Sequence, residues 1–444
     1  MLVDDRPSHS RSSLLRSSLA SRVVAALAVA ALAIGITACG GSGASSHSTL
    51  TVVTFEPFSG PDASFGADGD AGVIPAVGAI NAAGGVLGHK LVWKNVDTRG
   101  DPADAIPAAR ALLASTSNIV AMVGPSSDEA SATVPIFNQA GIPMGIASGQ
   151  VAFNKNPYAY VWRNEPADNA DGAAIAYAAM KILHYSRAAA VFGTDISSQG
   201  SKPSAIATFK GLGGKIVASE DLSLDQPSYE TEVVKVLAAH PQVIFTEADP
   251  QTTATFFGEL VHAGGAVPFI GTDGTSGPPY INAVSRAIGK ARFNQLYRIV
   301  EFGTPPNGVP GVYNAAVMKY NRGVARPLSQ WISNPFGLAH WDFVISVALA
   351  MEAAHSINPK VFNPYIRRVT APSPGAVVVH SFADGVKAIK AGKHIQYVGG
   401  LGPAIYNQYH NAGAPFLLQA ANQSTVLHLI PGAIVTNLLN AYSG

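Results

Sequence analysis

Short apolar runs alternate with longer stretches of helical spacing along most of the chain. The first run, "TLTVVTF" at 49–55, is rich in β-branched residues and predicts a buried strand. Downstream, Val73, Val77 and Ile80 recur at the spacing of one helix face, which predicts a helix packed on that strand. With a second strand at 90–96, "KLVWKNV", the pattern is a βαβ unit of a parallel sheet.

The connector "INAAGGVLGHKL" (80–91) carries three glycines between that helix and the second strand. Gly84 or Gly85 can end the helix in the left-handed conformation, because neither carries a Cβ. The third glycine, Gly88, allows another turn before the strand. Pro75 and Gly78 conflict with the helical spacing, since proline lacks the N–H that an interior helical position donates. We therefore expect a kink there, or a helix that begins later than the apolar pattern suggests.

The alternation continues in two successive runs. Asp101 and Pro102 are a typical N-cap and first position of a helix. The predicted strands that follow lie at 118–124, 141–148, 188–193, 215–219, 242–247 and 268–271, and the predicted helices of the second run at 169–183, 203–212, 229–239 and 251–263. Two such runs predict an α/β fold with two doubly wound lobes on mostly parallel sheets. A ligand cleft is expected between the lobes, beyond the carboxyl ends of the strands.

The N-terminus has the pattern of a bacterial lipoprotein signal. Several arginines precede the apolar run "VVAALAVAALAI" (23–34), which has the length of a signal-peptide core and is short for a membrane span. Cys39, the one cysteine, follows small residues in "GITACGG", and this resembles a lipobox. We expect residues 1–38 to be removed, Cys39 to be lipidated and anchored outside the cytoplasm, and residues 39–48 to be a flexible tether. The alternative is an ordinary signal peptide followed by a small buried or free thiol.

Composition and motifs limit the function classes. Charged residues are 13% and hydrophobic residues 48% of the 444, which argues against extended disorder, and a net charge of +1 gives no nucleic-acid footprint. The histidines show no metal-ligand spacing, and no nucleophile elbow or phosphate loop is present. We expect no catalytic residue, metal site or cofactor. Asp195, Glu247 and Asp249 fall at strand ends, where we interpret them as polar residues of a solute cleft rather than acid–base catalysts.

Seven motifs stand in the order found in one family: "SGP" (59–61), "INAAGGVLGHKL" (80–91), "DTRGDPADA" (97–105), "VGPSSDEA" (123–130), "GIPM" (141–144), "PFIGTDG" (268–274) and "HWDFVISVALAMEAAHS" (340–356). On these motifs, most of residues 49–415 resemble the leucine/isoleucine/valine-type solute-binding proteins of ABC importers. The resemblance implies a type I periplasmic-binding-protein fold, with two Rossmann-like lobes joined by three crossing segments. The expected crossings lie near 162–168, 299–305 and 413–420, and the expected lobes comprise 49–165 with 303–413 and 166–302 with 414–444.

The resemblance also implies ligand contacts in the first lobe. The residue matching Ser127 holds a ligand carboxylate at a helix N-terminus, whereas Ser126 is either a second contact or a plain N-cap. Ser148, Gly149 and Gln150 end a strand where the family supplies a backbone carbonyl and a threonine hydroxyl, and Gln150 stands at the threonine position. The acidic residues 128 and 129 in the following helix weaken the site for an anion.

In the second lobe, Asp273 matches an acidic residue that neutralises a ligand ammonium; the alternative is a turn residue before a glycine. Phe65 matches an aromatic wall of the pocket. Two other aromatic positions of the family are occupied here by Gln199 and by Ala248, with Asp249 beside it. The pocket is therefore expected to be wider and more polar, for an amino acid, an amide or a polyol.

The expected function is that of a monomeric receptor, bound to the outer face of the membrane by its lipid anchor, that delivers a small polar solute to an ABC permease and its ATPase. The mechanism implied is closure of two lobes around the solute. A ligand-sensing lipoprotein of the same fold without a transporter is the alternative, and the sequence does not separate the two.

Overall fold

The computed structural model describes residues 48–60, 62–304 and 309–442. The predictions for the signal peptide, for Cys39 and for residues 39–47 of the tether lie outside these residues. The strands, numbered in chain order, are β1 Leu50–Glu56, β2 Leu91–Asp97, β3 Ile119–Ser126, β4 Met144–Ala147, β5 Val161–Trp162, β6 Arg187–Gly193, β7 Lys215–Leu222, β8 Val243–Glu247, β9 Phe269–Gly271, β10 Tyr297–Phe302, β11 Val377–Val379, β12 Ile395–Tyr397, β13 Phe416–Ala420 and β14 Val426–Ile430.

The α-helices connect and cover these strands. They are α1 Ala63–Ala82, α2 Pro102–Ser115, α3 Ser127–Ala140, α4 Asp168–Tyr177, α5 Ile196–Gly211, α6 Glu230–Ala238, α7 Pro250–His262, α8 Pro278–Ile288, α9 Lys290–Leu296, α10 Gly311–Lys319, α11 Pro335–Ala354, α12 Pro359–Thr370, α13 Phe382–Lys390 and α14 Gly432–Tyr442. A single π-helical turn, Ala178–Ile182, extends α4.

Two sheets carry the fold and share one winding order. The first sheet has the order β2-β1-β3-β4-β5, and all of its pairs are parallel. The second begins with the equivalent order β7-β6-β8-β9-β10, also parallel, and adds β13 and β14 as antiparallel edge strands. The sequence prediction of two wound, mostly parallel sheets is confirmed.

Each sheet is buried on both faces. In the first sheet, α1, α10 and α11 pack on one face and α2 and α3 on the other. In the second, α4, α5 and α14 cover one face, and α6 to α9 cover the other. Helix α11 is, among the described residues, the one helix long and apolar enough to cross a membrane, but 89% of its apolar window is buried inside the protein. It is a core helix of the first lobe.

The glycine connector forms the turn that its sequence predicts. Gly84 and Gly85 have φ of 110° and 81°, and a Cβ on Gly85 would lie 2.1 Å from the carbonyl oxygen of His89. Val86 and His89 exchange backbone hydrogen bonds of 2.9 and 2.8 Å, which closes the turn. The buried side chain of Val86 packs back into the core of the first lobe.

The expected late start of the first helix is wrong. Helix α1 begins at Ala63 and runs through Pro75 and Gly78 to Ala82. Packing explains why a glycine stands at position 78 inside the helix, because a Cβ there would lie 2.5 Å from the ring of Tyr320. Close packing of α1 on α11 and β1 compensates for the hydrogen bond that Pro75 cannot make.

The chain passes between the two sheets three times: after β5, after β10 and before β13. Backbone hydrogen bonds tie the crossings together. The N–H of Arg163 donates to the carbonyl of His410 at 3.0 Å, and the N–H of Ala412 donates to the carbonyl of Arg163 at 2.9 Å. Gly303 donates to the carbonyl of Pro415 at 3.1 Å. The crossings therefore form one narrow band between the lobes.

Substitution of the helical Gly72 tests the packing of α1 on α11. A Cβ on Gly72 would lie 2.5 Å from His340 Cβ, 2.7 Å from the nitrogen of Trp341 and 2.8 Å from the oxygen of Gly337. Two of these are backbone atoms that cannot rotate away. We expect Gly72→Ala to lower the free energy of unfolding by ~1–3 kcal/mol in chemical denaturation, although alanine favours helix.

The matched control is Gly258→Ala in α7, where the nearest atom to a new Cβ is Ala287 Cβ at 3.6 Å, an ordinary contact. This change should be neutral or stabilise by up to ~1 kcal/mol. Equal effects of the two substitutions would contradict the packing argument.

Candidate functional site

A cavity of about 400 Å³ lies between the two sheets, at the carboxyl ends of their parallel strands. Its walls come from the segments that follow β1, β2, β3 and β4 in the first lobe, from the crossing after β5, and from the segments that follow β6, β7, β8 and β9 in the second lobe. In doubly wound sheets this edge is where ligands bind, because the loops after the strands diverge at the switch in strand order. The cavity is where the sequence predicts the cleft.

Seven of the ten residues that the sequence assigns to the ligand site line this cavity: Phe65, Ser126, Ser127, Gly149, Ala248, Asp249 and Asp273. The other three, Ser148, Gln150 and Gln199, are not part of its wall. The wall therefore brings together residues from both lobes that are far apart in sequence.

Ser148 and Gln150 lie behind the wall, where they fix the position of Ser127. The hydroxyls of Ser127 and Ser148 are 3.2 Å apart. The side-chain amide of Gln150 donates to the carbonyl of Ser127 and accepts the hydroxyl of Ser131 at 2.8 Å. Gln150, which is buried, thus uses its polar atoms within the protein.

Gln199 is directed elsewhere. Its amide donates to the carbonyl of Gly193 and to the carboxylate of Asp221, both at 2.7 Å. The reason is that α5 begins at Ile196, earlier than the predicted start at 203, so Gln199 lies in the first turn of the helix.

The start of α3 is occupied by an acidic side chain. The hydroxyl of Ser126 donates to both carboxylate oxygens of Glu129 at 2.9 Å and makes no side-chain cap bond to the helix. Thr98 donates to the same carboxylate at 2.8 Å. Burial raises the pKa of Glu129, against the lowering effect of these donors. Both serines line the cavity, but the hydroxyl of Ser126 is committed to Glu129.

Four half-buried carboxyl groups, Asp62, Asp128, Asp195 and Asp249, form what we call the outer group. Asp62 and Asp128, from the first lobe, are hydrogen-bonded to each other. Asp195 of the second lobe repels both groups across the cleft, and Asp249 repels Asp62. Burial is the main cause that raises the pKa of Asp62 to about 7, followed by repulsion from Asp128 and then Asp195. Burial, followed by repulsion from Asp195, raises the pKa of Asp128 to about 6.

Asp195 and Asp249 each cap a helix with one oxygen. Asp195 accepts the N–H of Ser198 at 2.9 Å, and Asp249 accepts those of Gln251 and Thr252 at 2.9 and 3.0 Å. The second oxygen of each carboxylate, Oδ2, is buried and has no hydrogen-bond partner. Helix capping therefore leaves half of each carboxylate unused.

Five more carboxyl groups, Glu165, Asp168, Asp171, Glu247 and Asp273, form the inner group. All except Asp273 are at most 6% exposed. Asp171 and Asp273 are hydrogen-bonded to each other, and Glu247 accepts the hydroxyls of Ser197 at 2.7 Å and Thr272 at 2.8 Å.

Burial and mutual repulsion raise the pKa of all five groups. The pKa reaches about 7 for Glu247 and for Asp273, and burial is the main cause in both. Glu165, Asp168 and Asp171 have pKa values well above the ordinary range for the same reason. The cavity therefore contains several carboxyl groups that change ionisation near neutral pH.

Two glycines hold Asp168 in place. Its N–H donates to the carbonyl of Gly149 at 2.7 Å. A Cβ on Gly149 would lie 1.8 Å from Asp168 Oδ1, and a Cβ on Gly200 would lie 2.4 Å from Asp168 Oδ2. The carboxylate fits between the backbones of both lobes only because neither glycine has a side chain.

Positive charge is scarce in this cavity. Twelve acidic residues line it, against one arginine, Arg99, which is exposed and lies 3.7 Å from Asp104. Arg163 is buried behind the inner group, where its guanidinium donates to the carbonyl of Gln150 at 3.0 Å. Burial lowers its pKa to about 10, so it stays charged at neutral pH. Burial also lowers the pKa of the lining His340 to about 4, and the imidazole is neutral.

The rest of the wall is partly apolar. Phe65, Leu224, Ala248 and Phe336 line the cavity, together with the buried Tyr280. Within 48–60, 62–304 and 309–442, no group of three or more His, Cys, Asp or Glu side chains is arranged to hold a metal ion. The cavity therefore suits an organic solute with both polar and apolar parts.

Comparison with known proteins agrees with this architecture. Residues 49–331, more than half of the chain, match the model of the periplasmic binding protein family. The chain belongs to this family.

Individual relatives show the degree of similarity within the periplasmic binding protein family. An amino acid binding protein of Pseudomonas aeruginosa is 24% identical over 333 residues, 71% of this chain and 82% of the relative. The branched-chain amino acid transporter substrate binding protein LivJ of Streptococcus pneumoniae, solved with isoleucine, superposes with a TM-score of 0.67 at 19% identity, over 86% of this chain and 99% of that chain.

A type 1 periplasmic binding protein of Bordetella pertussis superposes with a TM-score of 0.63 at 17% identity, over 86% of this chain and 100% of that chain. The resemblance to leucine/isoleucine/valine-type binding proteins and the type I fold are confirmed. The family and these neighbours are binding proteins rather than enzymes.

Several carboxyl groups of the wall are missing from the sequence-predicted site of this periplasmic binding protein, above all Asp62, Asp168 and Asp171. Asp168 and Asp171 lie in the first turn of α4, where acidic residues ordinarily complement the helix dipole. The sequence did contain a signal for these groups, since acidic residues follow most of the predicted strands of the second run. This pattern predicts an acidic cleft only when one considers that the carboxyl ends of parallel strands meet at one edge of the sheet.

The raised pKa values make a prediction about stability. A carboxyl group whose pKa is higher in the folded than in the unfolded protein stabilises the fold most below its unfolded value, and this contribution is lost as pH rises through the folded value. Glu247 faces Asp168, Asp195 and Asp273, so its ionisation between about pH 4.5 and pH 7 destabilises the ligand-free protein.

We expect Glu247→Gln to raise the thermal midpoint at about pH 8 relative to wild type by the equivalent of ~2 kcal/mol, and to change it little at about pH 4. The exposed Glu230→Gln is the control and should leave the difference between the two pH values unchanged. If Glu247→Gln and wild type lost stability in parallel as pH rises, the ionisation of Glu247 would not be the cause.

Proposed function

We propose that this binding protein is an extracytoplasmic, lipid-anchored receptor of an ABC importer. It binds a small polar solute between its lobes and closes on it for delivery to the permease and its ATPase. The observation that carries the proposal is the cavity whose polar wall is divided between the two lobes. A solute that contacts both walls binds the closed arrangement more tightly than the open one, and so shifts the population towards closure.

The moving bodies are the lobes expected from the sequence, residues 49–165 with 303–413 and residues 166–302 with 414–444. The band of crossings between them is narrow and is held by backbone hydrogen bonds such as that from Arg163 to His410. A change of backbone dihedral angles at the few crossing residues can rotate one lobe without disturbing either core.

The polarity of the wall supports a polar solute in preference to a branched aliphatic one. Ala248 lines the cavity where the family carries an aromatic ring, and Asp249 stands next to it. An aliphatic side chain placed among these carboxyl groups buries less apolar surface and removes water from charged oxygens. The ligand contacts are the seven predicted residues on the wall, from Phe65 to Asp273, with Ser148 and Gln150 in support of Ser127.

The lipid anchor is at Cys39, and residues 39–48 act as the tether. An anchored monomer keeps the solute receptor near its membrane partner, so that each closed complex meets the permease at a high effective concentration. No further subunit is needed for this role, since both walls of the cavity come from one chain.

Lipidation gives a direct test. In the native host fed an alkyne-tagged fatty acid, the wild-type chain should be labelled and should enter the detergent phase after phase separation. Cys39→Ser should lose the label and enter the aqueous phase, because the chain has no other cysteine. Ser46→Ala in the tether is the control and should be labelled like wild type. Equal labelling of Cys39→Ser would reject the anchor.

Solute binding gives a second test. A thermal-shift screen of polar amino acids, amides, polyols and amines should contain at least one solute that stabilises the protein more than leucine or valine does. For that solute, Ser127→Ala and Asp273→Ala should each weaken binding by roughly tenfold in calorimetry, since each removes contacts of one lobe.

Exposed Ser424→Ala and Asp384→Ala are the matched controls and should bind like wild type. A clear preference for leucine or valine would overturn the polar pocket. Binding without solute uptake by cells that carry the protein would favour the sensor alternative over the importer.

A further inference from the structure

We propose that the solute is an organic cation with at least two amine or guanidine groups and no carboxylate. The inference rests on the proposed solute-binding function and narrows its substrate class. It comes from the charges, the unpartnered oxygens and the paired carboxyl groups of the cavity.

The charge of the wall is one-sided. The outer and inner groups together contain nine carboxyl groups, and the arginine on the wall is already near Asp104. Arg163 offsets part of the inner group from behind, but it does not line the cavity. A solute that enters this space removes water from the carboxyl groups, which strengthens their repulsion of an anion and their attraction for a cation.

Buried oxygens in this wall lack partners within the protein. Asp168 and Asp171 are 5% and 3% exposed, and Oδ2 of Asp168 and Oδ1 of Asp171 accept no hydrogen bond. Leaving such acceptors unpaired is costly, so a donor is expected to reach them in the functional state. Ammonium and guanidinium groups provide several N–H donors with the opposite charge, which match carboxylate oxygens.

The carboxyl pairs suggest how many charges the solute carries. Asp62 pairs with Asp128 in the first lobe, and Asp171 pairs with Asp273 in the second. Two carboxyl groups that are hydrogen-bonded to each other must share a proton between them. One ammonium group can replace the proton of each pair: the proton leaves to solvent, and N–H···O bonds form to both carboxylates. Two pairs in opposite lobes accommodate a solute with two cationic ends, which joins the lobes.

A carboxylate on the solute has no good place in this wall. The N-terminus of α3 would welcome an anion, but its first turn carries Asp128 and Glu129. The backbone carbonyls after β4 already accept donors from the protein: that of Ser148 accepts the guanidinium of Arg163 at 3.4 Å, and that of Gly149 accepts the N–H of Asp168 at 2.7 Å. The carboxylate of an amino-acid zwitterion therefore has an unfavourable place at the start of α3, and its ammonium has to share a carbonyl with a donor of the protein.

An organic chain suits the space between the pairs better than a metal ion. Leu224, Ala248 and Phe65 line the cavity and can pack against methylene groups. In the part of the chain that the structure describes, no three acidic or histidine side chains converge on a common metal position. The carboxyl groups are spread over two lobes, as a molecule several atoms long requires.

Calorimetry on the full chain, purified in detergent, tests the inference. Dialysis at about pH 5 first protonates the carboxyl groups and releases bound cations. The probes at about pH 8 are diaminoalkanes of three to six carbons and spermidine, against the monoamine 1-aminobutane, the uncharged 1,4-butanediol, lysine, leucine and Ca²⁺. The best of the diaminoalkanes and spermidine should bind about 30-fold or more tightly than each comparison compound. The monoamine, butanediol and leucine lack a second cationic group, lysine adds a carboxylate, and Ca²⁺ cannot reach both pairs.

The outcomes separate the two proposals. A polyol, a monoamine, an amino acid or Ca²⁺ that binds as tightly as the diamines would overturn the cation inference, and the first three of these would leave the solute-binding function intact. No binding by any probe, together with no hit in the wider thermal-shift screen, would overturn both.

Two variants locate the cationic ends. Asp62→Asn and Asp171→Asn should each weaken diamine binding by about tenfold or more, while Glu230→Gln should not. Titrations in buffers of different ionisation enthalpy should show proton release on diamine binding near pH 7, with less release in each Asn variant. If the variants stay folded by thermal unfolding and proton release is unchanged, the pairs do not hold the cation.

Discussion

The hydrogen-bonded band of crossings is the constraint on which the rest of the molecule depends. Because the chain passes between its sheets three times within this band, the carboxyl ends of both sets of parallel strands are held at one common gap. Every segment that follows a strand then contributes to the same cavity. Residues separated by more than a hundred positions, such as Ser127 and Asp273, become parts of one wall.

This arrangement concentrates carboxyl groups in a space with little water. Their repulsion is tolerated because protons are shared within pairs, because hydroxyls of Ser197 and Thr272 donate to Glu247, and because Arg163 lies behind the inner group. The cost appears as raised pKa values rather than as a distorted fold. A cavity of this kind is poor at holding anions and well suited to exchanging protons for other cations.

The sequence was sufficient for the fold and for part of the site. Apolar alternation and the glycine connector predict the wound sheets, and Asp101 caps α2 as expected by accepting the N–H of Ala103 at 2.7 Å. The sequence did not predict that α1 runs through Pro75, because tertiary packing of α1 outweighs the local penalty of a proline. It also did not predict the position of Gln199, because the start of α5 was placed too late. The acidic wall was missed because Asp168 and Asp171 have a sufficient local explanation as helix-start residues, while their meeting with Asp273 is set by the topology.

The glycine–aspartate–glycine contact has a consequence for how the sequence can change. With Asp168 present, even a methyl group at position 149 or 200 would overlap its carboxylate. Evolution can therefore place a side chain at either glycine only in lineages that have already shortened or lost the acid at 168. Positions 149, 168 and 200 should therefore covary across homologues. A relative with alanine at 149 should also lack an acidic residue at 168.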